Sequence, residues 1–297
     1  MKTKLTIILS VLATIILGVS FFSNSNSNSE ITVVKKNKKK ATQYLVLLDL
    51  SDRIAESGQI ETDKIIIKNL FQNFKTIIFN HLVMNSNDRF QICIAPQKEM
   101  GFDKYIETDE MTLDLSKFKA SEKLKQLKDF EKKLSIKIDS LYNKANKGKD
   151  SKQYEGSNIW QYFNEELVYL TNETLETNLI VLTDGYFDFE KGNAEINNKN
   201  GSTTSSFINK LRNKDNWKDI ILSEKYRILP INSEFKNLKV CVSEIRSKDE
   251  NNLNETDILK YVWSSWLINS NVNTENFITV NHGPISNSQT KINKFLN

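Results

Sequence analysis

Tyr44-Leu45-Val46-Leu47-Leu48-Asp49-Leu50-Ser51-Asp52-Arg53 joins an unbroken apolar run to a carboxylate and then to a polar loop. A strand with one buried face alternates apolar and polar residues. A strand buried on both faces, as in a parallel sheet covered by helices, has no polar side to show. Asn178-Leu179-Ile180-Val181-Leu182-Thr183-Asp184-Gly185 repeats the arrangement far downstream: an apolar run, then a carboxylate, then a turn.

Between and beyond these runs the chain alternates strand-like and helix-like segments. Ile66, Leu70, Phe74, Ile77, Ile78 and Leu82 recur at helical spacing and predict a helix over about 61–84. A strand follows over 89–95, closed by Pro96, with a weaker edge strand near 111–115. Leu124, Leu127, Leu134, Ile138 and Leu141 form a narrow apolar stripe on a highly charged helix over 120–147, read as a solvated helix with one packed face. Ile159, Phe163, Leu167 and Leu170 begin a helix directly after Gly156-Ser157-Asn158. The polar stretch 191–206 reads as a loop, followed by a short helix at 207–212. Further on come a strand over 238–245, a helix over 256–268 that places Trp263 and Trp266 in core or rim packing, and a last strand at 277–280. Such alternation predicts an α/β fold: a three-layer, doubly wound, mostly parallel central sheet flanked by helices.

Composition is consistent with one domain of this kind. The chain has 297 residues, 39% of them hydrophobic and 26% charged, enough to build a sizeable core. A net charge of +4 does not suggest a nucleic-acid partner. Cys93 and Cys241 both lie in apolar strand-like runs and read as buried free thiols. With only His81 and His282 as further candidates, a His/Cys zinc site is not expected.

The N-terminus reads as an address. Lys2 and Lys4 precede an almost continuously apolar stretch from 6 to 22, followed by the polar spacer Ser23-Asn24-Ser25-Asn26-Ser27-Asn28-Ser29. This predicts an N-terminal hydrophobic helix over 1–24 acting as a signal anchor, with a cleaved signal peptide as the alternative. A polar and basic linker, 25–41, carries Lys35, Lys36, Lys38, Lys39 and Lys40, which bear on orientation and can meet anionic headgroups. The domain proper is assigned to 42–283, placed outside the cytoplasm, and 284–297 is read as a C-terminal tail.

In an open α/β sheet, ligands bind beyond the carboxyl ends of the strands. Asp49 and Asp184 stand at two such ends, and Ser157 and Asn158 at the start of a helix. Asp49-Leu50-Ser51-Asp52-Arg53 resembles the first motif, Asp-x-Ser-x-Ser, of the von Willebrand factor A (vWA) domain. Gly156-Ser157-Asn158 is similar to the family's second loop, Gly-Thr-Asn, and Thr183-Asp184-Gly185 to its third. The resemblance covers residues 42–282 and keeps the order of the motifs. It implies a metal-ion-dependent adhesion site holding Mg²⁺, or Mn²⁺ or Ca²⁺, with one coordination position left for an acidic residue of a protein partner. Under it, Ser51 and Ser157 ligate directly, and Asp49 and Asp184 directly or through water. Oxygen-only donors suit such hard cations.

Arg53 departs from that pattern, because a guanidinium offers donors only and cannot ligate a cation. Three outcomes are open. Water replaces the missing hydroxyl; or Arg53 turns inward, pairs with Asp49 or Asp184 and takes the metal's place; or it turns outward onto Asp52. An inward Arg53 could also hold a partner's carboxylate through two parallel bonds. Each motif has a plainer role as well. Ser157 is a helix N-cap candidate, Asp184-Gly185 a common turn pair, and Asp52 and Asp188 read as solvated.

The function implied is a non-enzymatic protein-binding module, for adhesion or assembly, tethered in the cell envelope. The sequence has no Gly-x-Ser-x-Gly elbow, no Cys/His pair at a suggestive spacing and no phosphate-binding loop. A Mg²⁺-dependent phosphohydrolase with Asp49 as nucleophile is the enzymatic alternative. A metal-free structural scaffold is the third reading.

Overall fold

β1 (Ala41–Leu48) is buried along its length except at its first residue, and its two neighbours show why. It pairs in parallel with β2 (Arg89–Ile94) on one side and with β4 (Leu175–Leu182) on the other. The computed structural model describes residues 40–80, 82–189, 195–249 and 251–296. The expected N-terminal helix, nearly all of the basic linker and His81 lie outside those residues. Among the described residues no helix is long and apolar enough to cross a membrane.

A short strand β3 (Thr112–Asp114) closes one edge antiparallel to β2. On the far side, β7 (Leu238–Ile245) pairs in parallel with β4, and β8 (Phe277–Asn281) with β7. The order is β3-β2-β1-β4-β7-β8. From β1 the chain works outward to β2 and β3, then returns to place β4, β7 and β8 on the other side. The reversal falls between β1 and β4, which puts the ends of the two apolar runs next to each other. Asn197–Asn198 and Gly201–Ser202 form a separate two-stranded ribbon, β5 and β6, inside the stretch expected to be loop.

Successive residues of β1 serve opposite faces. Val46 and Leu48 belong to one apolar layer, with Leu70 and Phe74 of α1 (Gln59–Asn80) and Leu127 and Leu134 of α3 (Ala120–Ala145). Leu45 and Leu47 belong to the other, with Phe163, Trp263 and Trp266. The sheet is therefore buried on both faces, which explains the unbroken apolar runs. α2 (Lys104–Glu110) packs beside β2.

The helix after Asn158, α4, is not uniform. Ile159–Gln161 is α-helical, Tyr162–Leu167 a π-turn and Val168–Leu170 α-helical again. α5 (Trp217–Ser223) is a short helix in a region with no helical pattern. α6 (Glu255–Asn269) carries Trp263 and Trp266, both fully buried. The expected tail instead holds α7 (Ile285–Leu296), whose Ile292 is 1% exposed in the first layer. Cys93 and Cys241 are free and buried.

Candidate functional site

Register brings the motifs together. Leu48 pairs with Leu182, so the residues that follow leave the sheet side by side: the Asp49 amide donates to the Leu182 carbonyl at 3.1 Å. The Thr183 amide donates to the Ser243 carbonyl on β7, also at 3.1 Å. The second loop reaches the same rim through the loop after β2, where the Asn158 amide donates to the Pro96 carbonyl at 2.6 Å.

Asp49 is 2% exposed, and both its oxygens are engaged. Oδ1 accepts from the Ser51 amide at 3.0 Å, and Oδ2 from the Thr183 hydroxyl at 2.7 Å. Thr183 thus ties the first motif to the third, and its Oγ1 also accepts from the Gly185 amide at 3.0 Å. Asp184 is 3% exposed; its Oδ1 accepts from the Tyr186 amide at 3.3 Å. Burial pushes the Asp184 carboxyl up to about 7; Lys248 works against the shift and the charge on Asp49 adds to it. Gly185 has φ +102°, a turn conformation open to glycine, and its carbonyl accepts from the Trp263 indole at 2.8 Å.

Asn158, and not Ser157, caps α4: the Gln161 amide donates to the Asn158 side chain at 2.9 Å. That leaves the Ser157 hydroxyl, in a residue 2% exposed, without a hydrogen-bond partner. A buried polar atom with no partner is costly to the fold. Gly156 lets this loop approach Asp188 closely; a Cβ there would stand 2.1 Å from the Asp188 carbonyl oxygen.

Arg53 takes neither of the two pairings expected of it, with Asp49 or Asp184 inward or with Asp52 outward. It turns inward and is 2% exposed, but its partner is Asp63 on α1. Nη1 and Nη2 donate to the two Asp63 oxygens at 2.8 and 2.9 Å, and Nη1 also reaches the Asp49 carbonyl at 3.1 Å. Gln59 and the Tyr142 hydroxyl complete the surroundings of Asp63 at 2.9 and 2.7 Å. Burial opposes the charge on Arg53, but Asp63 more than offsets it and holds the guanidinium pKa above its usual value. Arg53 is committed to the fold and does not present itself to a partner's carboxylate.

The position that sequence reading missed is Lys248, in the loop after β7. Its ammonium donates to both oxygens of Asp52 at 2.9 and 3.1 Å and lies 3.8 Å from Asp184 Oδ2. Asp52, read as solvated, is therefore paired. Asp188 remains exposed, as expected, but it lines the recess and accepts from the Ser205 hydroxyl at 3.0 Å. Asp49, Ser51, Asp52, Asp184, Asp188 and Lys248 share one open recess of about 340 Å³, walled by Tyr154, Glu155 and Gly156.

Among the described residues no group of three or more His, Cys, Asp or Glu side chains is placed to hold a metal ion. The set at this rim is of a different kind: two buried carboxylates, the Ser51 hydroxyl and the unpartnered Ser157 hydroxyl. Four aspartates and Glu155 line the recess against one ammonium, that of Lys248, so acidic groups outnumber basic ones there. Oxygen donors and surplus negative charge fit a hard divalent cation that keeps part of its water. Arg53 subtracts a ligand without adding a charge, because Asp63 neutralises it.

No family model matches the chain, and no curated protein matches it. Among solved structures it is similar to proximal thread matrix protein 1 from the mussel byssus, at 12% identity and a TM-score of 0.36, over 87% of this chain and 48% of that one. It is also similar to the pilus adhesin SpaC of Lactobacillus rhamnosus GG, at 9–10% identity and TM-scores of 0.41 and 0.42, over 86–87% of this chain and 30% of the adhesin. The chain thus spans less than half the length of either protein, and similarity at this level supports no functional argument.

Proposed function

We propose that the chain is a vWA-like protein of the cell envelope, with a three-layer, doubly wound domain held outside the cytoplasm by its N-terminal anchor. It acts as a non-enzymatic protein-binding module. The strand rim takes Mg²⁺, or Mn²⁺ or Ca²⁺, through the Ser51 and Ser157 hydroxyls, with Asp49 and Asp184 as direct or water-mediated ligands. When bound, the cation supplies a Lewis-acidic position that accepts an acidic side chain of the partner. Asp49 is oriented for this by Thr183 and the Ser51 amide, Asp184 by the Tyr186 amide.

One observation carries the reading: the Ser157 hydroxyl is buried and unpartnered, one residue along from Gly156 in the wall of a recess rich in carboxylates. Calorimetry of the full chain with MnCl₂ and MgCl₂, beside Asp184→Asn, tests it. We expect saturable binding at millimolar metal or below that the substitution abolishes. No heat from a folded wild-type chain overturns the cation, and binding that survives in Asp184→Asn overturns the site.

The contact between Lys248 and Asp52 favours a second reading, a metal-free scaffold whose rim is neutralised internally. Affinity capture separates the two. A partner retained in EDTA belongs to the scaffold, and one released by EDTA to the cation-dependent module.

A further inference from the structure

Lys248 is placed with more care than a surface lysine needs. Its amide donates to the Tyr186 hydroxyl at 3.1 Å, and the amide of Arg246, two residues earlier, donates to the Asp184 carbonyl at 3.1 Å. Between them, Ser247 is held from both ends: its amide donates to Thr256 Oγ1 at 3.2 Å and its hydroxyl to Glu255 at 2.8 Å. Glu255 is 0% exposed and is itself fixed by the Tyr186 hydroxyl and by Arg212, each at 2.8 Å. The backbone that carries Lys248 is therefore anchored to the third metal-like motif and to the start of α6.

The side chain is less constrained than its backbone. It keeps 37% of its surface exposed, and its ammonium lies 5.0 Å over the Tyr186 ring, among the residues that line the recess. Of its two carboxylate neighbours, Asp52 is on the outer wall, 31% exposed, and Asp184 on the inner wall, 4% exposed. With that much of the side chain exposed, rotation of its stem would carry the ammonium toward solvent. When present, it bridges the two walls and stands beside a ligand of the proposed cation.

We propose that Lys248 is a tethered counter-ion that competes with the divalent cation for this rim, closing the Asp52–Asp184 gap in its absence and swinging out when it binds. The inference rests on the cation reading above and adds its regulation. An ammonium and a divalent cation repel each other at this range, and both draw on the same surplus of negative charge. The apparent cation affinity of the wild type is then lowered by the fraction of molecules in which the lysine is docked.

The test compares the full-length wild type with Lys248→Met, which keeps the apolar stem over Tyr186 and removes the charge, by calorimetry with MnCl₂. A docked state that dominates predicts a gain of about tenfold or more in Mn²⁺ affinity for Lys248→Met. Equal or weaker affinity overturns the proposal and leaves the cation site standing. Absence of binding in both proteins removes the site and the proposal together. A second measurement does not depend on how the variant folds. Reductive methylation of wild-type protein, mapped by mass spectrometry, should modify Lys248 several-fold faster in Mn²⁺ than in EDTA, with Lys125 as an exposed reference. Unchanged Lys248 labelling in a Mn²⁺-bound protein overturns the swing.

Discussion

The guanidinium of Arg53 and the carboxylate of Asp63 face each other through two parallel hydrogen bonds of 2.8 and 2.9 Å, with side chains 1% and 0% exposed. The pair lies directly beneath the rim: Arg53 also holds the Asp49 carbonyl, and the Tyr142 hydroxyl brings α3 onto Asp63. It fastens the first motif to two helices. The residue that breaks the metal pattern in sequence thus stabilises the loop that carries the pattern.

Removing one partner leaves a buried charge alone, which costs about 3–5 kcal/mol. Arg53→Ser, which restores the serine of the resembled motif, should therefore lower stability by that order in urea denaturation and should not raise cation affinity. Arg53→Met with Asp63→Leu should recover most of the loss, since an apolar pair of similar volume avoids the desolvation of both charges. A stable Arg53→Ser protein with tighter Mn²⁺ binding contradicts this account.

Asp184 makes stability depend on pH in a definite direction. Its carboxyl titrates near 3.8 when unfolded and is pushed up to about 7 in the folded chain, mainly by burial. The folded state then binds the proton more tightly than the unfolded state. Its contribution to stability is fully present below the unfolded value and is lost as pH rises toward 7. In EDTA, urea unfolding should show stability falling across that window, and Asp184→Asn should flatten the slope. A divalent cation needs the ionised form, so its binding should weaken as pH falls below 7 and should release protons. The same slope in Asp184→Asn as in the wild type refutes the assignment to this residue.

The parts of this arrangement that could be read from sequence are those set by periodicity. β1 and β4 are visible because burial on both faces leaves unbroken apolar runs, and Asp49 and Asp184 because they end those runs. Lys248 was invisible: its loop has no pattern, and a lysine beside Asp249 looks like solvated charge. Asp63 was hidden for a related reason, since it falls in a helix where a lone carboxylate reads as part of the wet face. Sequence does not separate Ser157 from Asn158 as the cap, because capping depends on backbone angles that composition does not fix. The helix Ile285–Leu296 looks like a tail in sequence because its docking surface is assembled from α1, β7 and β8.

Gly156 is required by space alone. A Cβ at this position would meet the Asp188 carbonyl oxygen at 2.1 Å and the Phe189 Cα at 2.5 Å, both backbone atoms that cannot rotate away. Gly156→Ala should lower stability by about 1–3 kcal/mol and, by displacing the neighbouring Ser157, should weaken cation binding. Gly101→Ala, where nothing lies within 4 Å, is the matched control and should change neither. Thermal melting with and without Mn²⁺ reads both effects. A Gly156→Ala protein that melts and binds like the wild type shows that the loop has room to move.

Ser157 gives the sharpest test because its two expected effects have opposite signs. Its hydroxyl is buried without a partner, so in EDTA it is a cost to the fold, on the order of 1 kcal/mol for an unsatisfied polar group. Replacement by alanine removes that cost and leaves only a small void, so Ser157→Ala in EDTA should be as stable as the wild type or more so. The cap on α4 is unaffected, because Asn158 supplies it. In Mn²⁺ the order should reverse: the wild type gains a ligand bond at Ser157, the variant does not, and the metal-dependent rise in melting temperature should shrink or vanish. A serine held only for structure predicts the contrary pattern, destabilisation in EDTA and an undiminished response to metal. The crossing of the two melting series therefore distinguishes a ligand from a structural hydroxyl without any knowledge of the partner.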